Sequence, residues 1–304
     1  MKELRKYTCY FLMYSFALTL FSCEQKNNST EQEPEPVVTL PYDEYGALKG
    51  VFSVSSYTKV QFSRGNLEYL ASTNIWRFAE EQYQYAGATD ISPTSNEWFS
   101  VFGWATSGYN GKYPYKNETR YDTYYKERRD IAGTYYDWGV YNAISNGGNR
   151  SGIWRTLTAS EWYYLINTRE DSFEKFGYAT IRGMKGIILI PDDVNQYLFS
   201  FEFKPYVRFD NPNSSTRRLK VVSEMEVYTM EQWKEMEDAG CVFLPGLGNE
   251  FTTLYFYWTS SYVSDQSMAY AFGIKMQSKA REVECLFWKA RHTKQQVRLV
   301  KTIY

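Results

Sequence analysis

The stretch Gly152–Arg169, "GIWRTLTASEWYYLINTR", decides the fold class. Thr158 and Glu161 form a T-x-x-E capping box, in which each side chain satisfies a backbone donor at the start of a helix. Trp162, Leu165 and Ile166 then recur on one face, so an amphipathic helix is predicted directly after Thr158. One further stretch has the same grammar. In "TMEQWKEMEDAG", Thr229–Gly240, Thr229 and Gln232 make the box, Trp233 and Met236 the buried stripe, and Gly240 the C-terminal stop.

Outward from these helices the chain reads as short strands. "VFSVSSYTKVQFSRGNLEYL" from Val51 and "IWRFAEEQYQY" from Ile75 are β-branched and aromatic runs divided by turn residues. Val60 and Phe62 alternate with Gln61 and Ser63, as a strand with one buried face requires. Between the helices, "KGIILIPDD" reads as a buried strand and "FSFEFKPYVRF" as another. Beyond them, "GCVFLPG", "LYFYWTSSY", "MAYAFGIKM", "ECLFWKA" and "QQVRLVK" continue the pattern. Few helices among many short strands predict an α+β domain rather than α/β. "NEWFSVFGWATSGYNGKYPYKNETRYDTYYKERRD", residues 96–130, reads as a long aromatic, glycine-rich loop. Such a loop is either functional or tightly packed.

The N-terminus carries targeting information. Lys2, Arg5 and Lys6 precede the apolar run "YTCYFLMYSFALTL", too short to span a bilayer, which ends in "LFSC". That ending resembles a bacterial lipoprotein signal, with Cys23 as the acylated first residue of the mature chain. The expected organisation is a signal peptide over 1–22, a lipidated, acidic and proline-punctuated tether over 23–46, and one domain over 47–304. Acyl chains on Cys23 would anchor the protein to the bacterial outer membrane or cell surface. Of the remaining cysteines in the body, Cys241 and Cys285 either pair in the oxidising envelope or lie buried as thiols.

Composition narrows the partners. Lys+Arg 34 against Asp+Glu 35 argues against nucleic acid. Aromatic residues make up 19% of the chain, 29 of them Tyr, which suits both sheet faces and wet binding surfaces. The single histidine, His292, stands in a charged stretch, and no G-x-S-x-G elbow is present, so a hydrolytic triad has no base. "GLGNEF" from Gly246 has Phe251 where a dinucleotide fingerprint needs its third glycine. No zinc spacing occurs, and no resident cofactor is expected. Calcium has two candidate loops, "FDNPNSS" around Asp210 and "NAISNGGN" from Asn142 to Asn149, although the same residues suit ordinary tight turns. Glu224, Glu226, Glu282 and Glu284 are acids available to a glycosidase, but spacing alone pairs none of them.

"GIWRTLTASEWYYLINTR", "AGCVFLPGLGNE", "YFYWTSSY" and "QQVRLVK" together resemble secreted proteins of the formylglycine-generating-enzyme-like, C-type-lectin-like fold. "VQFSRGNLEYLASTNIWRFAEEQYQYAG", "FGWATSGYNG" and "DIAGTYYDWGVYNAISNGGN" are similar to the version in Bacteroidetes-type lipoproteins related to the Fibrobacter succinogenes major paralogous domain. The resemblance covers nearly all of Val51 to Lys301. It implies an α+β domain of two helices and a twisted antiparallel sheet, with Trp154 and Trp162 as framework and ligand contacts on 263–296. The expected contacts are Tyr262, Tyr270, Lys279, Arg281, Trp288 and Arg291, joined by Trp104 and Tyr109 from the glycine-rich loop. Enzymatic relatives hold copper on a close cysteine pair, whereas Cys241 and Cys285 are far apart in sequence. The calcium triplets of sugar-binding lectins are absent from the sequence. The expectation is therefore a non-enzymatic, lipid-anchored envelope protein that binds a glycan or protein. Its rivals are an oxidase-like or glycan-active enzyme and a structural cell-surface or fimbria-associated subunit.

Overall fold

Both capping boxes form. In the computed structural model, Thr158 and Glu161 cap a helix over Ala159–Asn167, and Thr229 and Gln232 cap one over Met230–Asp238. Trp162, Leu165 and Ile166 face inward from the first, and Trp233 and Met236 from the second. The second helix stops in a Schellman motif: Gly240 N–H donates to Glu237 O at 2.8 Å and Cys241 N–H to Met236 O at 3.0 Å. Gly240 takes φ +90°, and a Cβ there would stand 2.3 Å from the Gly50 amide nitrogen, so this position needs glycine twice over. A third helix, Trp138–Tyr141, was not expected from the sequence. In chain order the three are α1 (Trp138–Tyr141), α2 (Ala159–Asn167) and α3 (Met230–Asp238).

The structure describes residues 40–87, 91–115, 128–209, 219–221, 225–246, 253–265, 267–275 and 283–304. Its compact unit runs from Leu40 to Tyr304. Residues 40–46, assigned to the tether by sequence, belong to that unit: Asp43 accepts the amides of Tyr45 and Ala47 and the Nζ of Lys301 at 2.8 Å. The signal segment, Cys23, the Asp210 loop, Glu224, Lys279, Arg281 and Glu282 lie outside the described residues. No helix of the described residues is long and apolar enough to cross a membrane.

The architecture is α+β, with strands in several small, largely antiparallel sheets. One sheet brings the two ends of the unit together in the order Phe52–Ser53, Lys59–Phe62, Leu299–Ile303, Arg155–Thr156. A second runs Glu226–Tyr228, Phe176–Ile181, Met184–Leu189, Val242–Pro245. A third runs Leu286–Ala290, Met268–Lys275, Thr253–Tyr262, Gln295–Gln296, Val101–Phe102. "FSFEFKPYVRF" forms a strand only at Val207–Phe209. The segment before it stays irregular, with Phe199 and Phe201 stacked at 5.5 Å beside α3.

Successive residues of a strand point to opposite faces, and this alternation divides the interior into three cores. Tyr257, Val300 and Phe272 enter the core around α2, whereas their neighbours Trp258, Leu299 and Ala271 enter a tryptophan-rich core with Trp76, Trp104, Trp138 and Trp154. Ile187 and Leu189 face the α2 core while Ile188 and Ile190 face a third core under α3. Trp162 stacks on Phe272 at 3.9 Å, which locks α2 to the third sheet. Val60 and Phe62 are buried as expected, but Ser63 is buried too, its hydroxyl donating to Gly65 O at 2.9 Å.

The same partition keeps the cysteines apart. Cys241 lies in the α3 core and Cys285 in the α2 core, both buried and neither in a disulfide, so the disulfide alternative is not realised. Burial pushes the Cys241 thiol well above its ordinary range, although Arg169 and Lys175 pull the other way. Neither Cys241 nor Cys285 is expected to take up iodoacetamide in the folded protein, and both should react once it is denatured. Peptide mass spectrometry checks this; alkylation under native conditions would contradict the burial.

A buried polar network joins the sheets where the cores meet. Arg298, 1% exposed, donates to Gln82 Oε1 at 2.8 Å and Asn66 Oδ1 at 3.4 Å. Gln82 also receives the amide of Phe243 and donates to Glu237 Oε1 at 3.0 Å. Asn66 donates to Gln296 Oε1, and Gln296 to Pro245 O at 2.7 Å, where Tyr257 Oη also donates. Burial lowers the Arg298 pKa to about 10 and raises that of Glu237.

Candidate functional site

The tryptophan-rich core ends at the surface in a group of tyrosines. The chain leaves the interior at Trp104, fully buried, whose Nε1 donates to Thr259 O at 2.8 Å and whose amide donates to Arg291 O at 2.8 Å. Arg291 is 2% exposed; its guanidinium stacks over the Trp104 ring at 4.5 Å, and its Nε donates to Met268 O. The next residue, Ala105, has φ +64°, a conformation costly for a residue with a Cβ. That turn redirects the chain outward. Thr106 Oγ1 donates to Gly103 O, and Ser107 Oγ donates to Tyr135 O at 2.7 Å.

From there a tight loop closes on itself, with Gly108 N–H donating to Lys112 O and Lys112 N–H to Tyr109 O. Gly108 at φ +96° and Asn110 at φ 49° give the reversal. Across from it, α1 presents the second half of the surface. Asp137 starts α1, its Oδ1 accepting Gly139 N–H at 3.3 Å, and it holds Thr156 through both N–H and Oγ1. Asn142 Nδ2 donates to Ser107 O at 2.9 Å and ties the end of α1 to the loop.

Tyr109 sits in the middle, its ring 5.3 Å from Tyr135, 5.1 Å from Tyr136 and 5.4 Å from Tyr141. Asn110 Nδ2 donates to Tyr136 Oη at 3.1 Å. Next to them, Tyr113 stacks on Tyr115 at 5.1 Å, and Tyr115 lies over the buried Tyr69. Tyr135 and Tyr141 are 57% and 40% exposed. Burial raises the pKa of Tyr69 and Tyr115, so both phenols stay protonated at neutral pH. Protonated phenols can donate as well as accept, and stacked rings offer flat apolar faces; together these suit a ligand with hydroxyls on one edge and C–H groups on a face.

The expected contact residues divide. Trp104 and Arg291 do meet, but in the interior, and this corrects their assignment as ligand contacts: they are the buried hinge from which the tyrosine loop springs. Tyr109 stands at the centre of the exposed group. Trp288, 65% exposed, lies on the outer strand of the third sheet in cross-strand register with half-buried Tyr270. Tyr262 is half-buried against the tryptophan-rich core, and its amide donates to Asp130 Oδ1. Trp154 and Trp162 are buried framework. Tyr135, Tyr136 and Tyr141 went unrecognised by sequence, whose one signal was the tyrosine density of "TYYDWGVY".

The "NAISNGGN" loop uses several of its oxygens internally. Asn146 Oδ1 accepts Phe78 N–H at 2.7 Å and Gly147 O accepts Trp154 Nε1 at 2.8 Å, which makes it a turn pinned to a strand. Among the described residues, no group of three or more His, Cys, Asp or Glu side chains is placed to hold a metal ion. His292 is half-buried rather than exposed.

No protein-family model matches the chain, and no curated protein or solved structure is significantly similar to it.

Proposed function

We propose that this chain is a non-enzymatic, lipid-anchored envelope protein whose folded unit is C-type-lectin-like and captures a glycan on the tyrosine surface centred on Tyr109. The observation that carries the reading is the set of ring contacts joining Tyr109 on its loop to Tyr135, Tyr136 and Tyr141 on and before α1, with Ser107 tied to Tyr135 and Asn142 across the two segments. Rings held this way lose little conformational freedom when a ligand arrives, so their stacking energy is kept for binding. The α+β layout with α2 and α3 agrees with the proposed family, and the lipoprotein-like ending at Cys23 supports the anchor. Separation of Cys241 and Cys285 into different cores weighs against the rival oxidase, which needs the two sulfurs together.

A glycan array probed with the detergent-solubilised protein tests this. Tyr135→Ala and Tyr141→Ala should each weaken retention of a positive glycan about tenfold, roughly 1.4 kcal/mol, while the melting temperature stays within a few degrees. Trp288→Ala should leave retention unchanged. The reverse pattern would move the ligand to the outer strand Leu286–Ala290 and the protein to a different recognition mode.

A further inference from the structure

The tyrosine surface joins two segments that are separate in sequence, and its rings are placed for a covalent step as well as for stacking. We propose that Tyr109 and Tyr135 form an oxidative modification site, in which their rings couple through a carbon–carbon bond when a peroxide-driven one-electron oxidant reaches them. The bridge fastens the Tyr109–Gly111 turn to the segment that leads into α1.

Phenol oxidation supplies the chemistry. A haem-peroxidase-type oxidant takes one electron from each phenol, and each Oη proton leaves to solvent. The phenoxyl radicals so formed carry unpaired spin on Oη and on the Cε carbons beside it. Two radicals combine at Cε to form one carbon–carbon bond. The hydrogens on those two carbons leave as protons while the two oxygens regain protons, so both phenols are restored. Two tyrosines and one hydrogen peroxide thus give one dityrosine and two waters.

Geometry selects the pair. Tyr135 is 57% exposed and open to an oxidant in solution. Tyr109 lies against it with ring centroids 5.3 Å apart and planes at 65°, edge to face, which is the separation of rings in van der Waals contact. Tyr141 is the next ring, 5.8 Å from Tyr135, so Tyr109 is the nearer partner. An electron hole formed on Tyr136 or Tyr141 also reaches Tyr109, through ring contacts of 5.1 and 5.4 Å.

The two segments are held together by bonds other than those of the rings. Ser107 Oγ donates to Tyr135 O at 2.7 Å, and Asn142 Nδ2 donates to Ser107 O at 2.9 Å. Reactants fixed in contact couple within one chain, without the encounter that two chains would need. Tyr57 and Tyr197 provide the contrast. They are 96% and 77% exposed, yet neither has a tyrosine ring against it among the described residues. Exposure without a neighbouring phenol favours coupling between chains.

The test treats the detergent-solubilised protein, at low concentration, with a haem peroxidase and limiting hydrogen peroxide. Tryptic peptides 78–112 and 130–150 carry the two tyrosines. Dityrosine fluorescence is expected in the monomer, with these peptides joined and lighter by two hydrogens than their sum, and fragmentation placing the bond on Tyr109 and Tyr135. The yield should not change with protein concentration. The bridged protein should melt a few degrees higher, because the link restricts the unfolded chain. Tyr109→Phe and Tyr135→Phe each keep the ring and remove the phenol, and each should cut the joined pair at least about tenfold. Tyr57→Phe should reduce cross-linked dimers only. The proposal is overturned if oxidation yields dimers alone, if either substitution at 109 or 135 leaves the joined pair undiminished, or if fragmentation places the bond on other tyrosines of the two peptides. Cross-linking is read with no glycan present, so its failure leaves the glycan surface standing, and a blank glycan array leaves the bridge standing.

Discussion

Replacing Arg298 by alanine should lower the stability of the folded unit by about 3–5 kcal/mol. The substitution takes a long side chain out of a sealed volume between Asn66, Gln82 and Tyr257, and removes the cation that faces the buried Glu237. The surroundings cannot readily close the space, because Asn66, Gln82 and Tyr257 are each held by further hydrogen bonds of their own. Arg298→Met fills most of that volume without a charge and should cost less than half as much, since apolar replacements in buried polar networks are often tolerated. Urea unfolding followed by tryptophan fluorescence measures both; the midpoint should move while the slope stays constant. A loss below about 1 kcal/mol for the alanine variant would mean that the network contributes little beyond its packing.

Asp137→Ala carries the second large effect, about 2–4 kcal/mol, combining a lost N-cap with an orphaned Thr156 amide and hydroxyl. Loss of α1 should also weaken glycan retention, because Tyr141 belongs to that helix and Tyr135 lies three residues before its start. Asp137 makes stability pH-dependent as well. Burial raises its carboxyl from 3.8 to about 6, against the opposing pull of the Thr156 and Gly139 hydrogen bonds. Between those values the folded state binds more protons than the unfolded state. This group's contribution therefore favours folding fully below about pH 4, declines between about pH 4 and 6, and is lost above that, a span of roughly 3 kcal/mol at most. Asp137→Asn retains an oxygen at the Oδ1 position, where three of the four bonds fall, and should flatten that part of the profile. An unchanged pH profile in Asp137→Asn would assign the slope to another group.

What was legible in the sequence was local. Each capping box is complete within four residues, and Trp162, Leu165, Trp233 and Met236 lie at helical spacing, so α2 and α3 could be read directly. Most strands were visible for the same reason. α1 was not, because a single turn has no periodicity and Asp137 lacks the Glu or Gln that would complete a box. The site was harder. Trp104 and Arg291 carry the chemistry of a binding surface, yet their burial follows from strands that meet across most of the chain. Conversely, Tyr135 before α1 and Tyr141 at its end are exposed, while Trp138 and Gly139 between them are buried.

The strand Leu299–Ile303 lies between one strand from the start of the unit and one from its middle, and its adjacent Leu299 and Val300 enter two different cores. Neither core can close until this strand has been made. Emerging from the ribosome, the polypeptide has helices to form early but no complete interior to bury them in, and the closing pairings span nearly the full sequence. Folding should therefore be slow and concerted rather than progressive, with a long interval in which tryptophan-rich surface is open to chaperones.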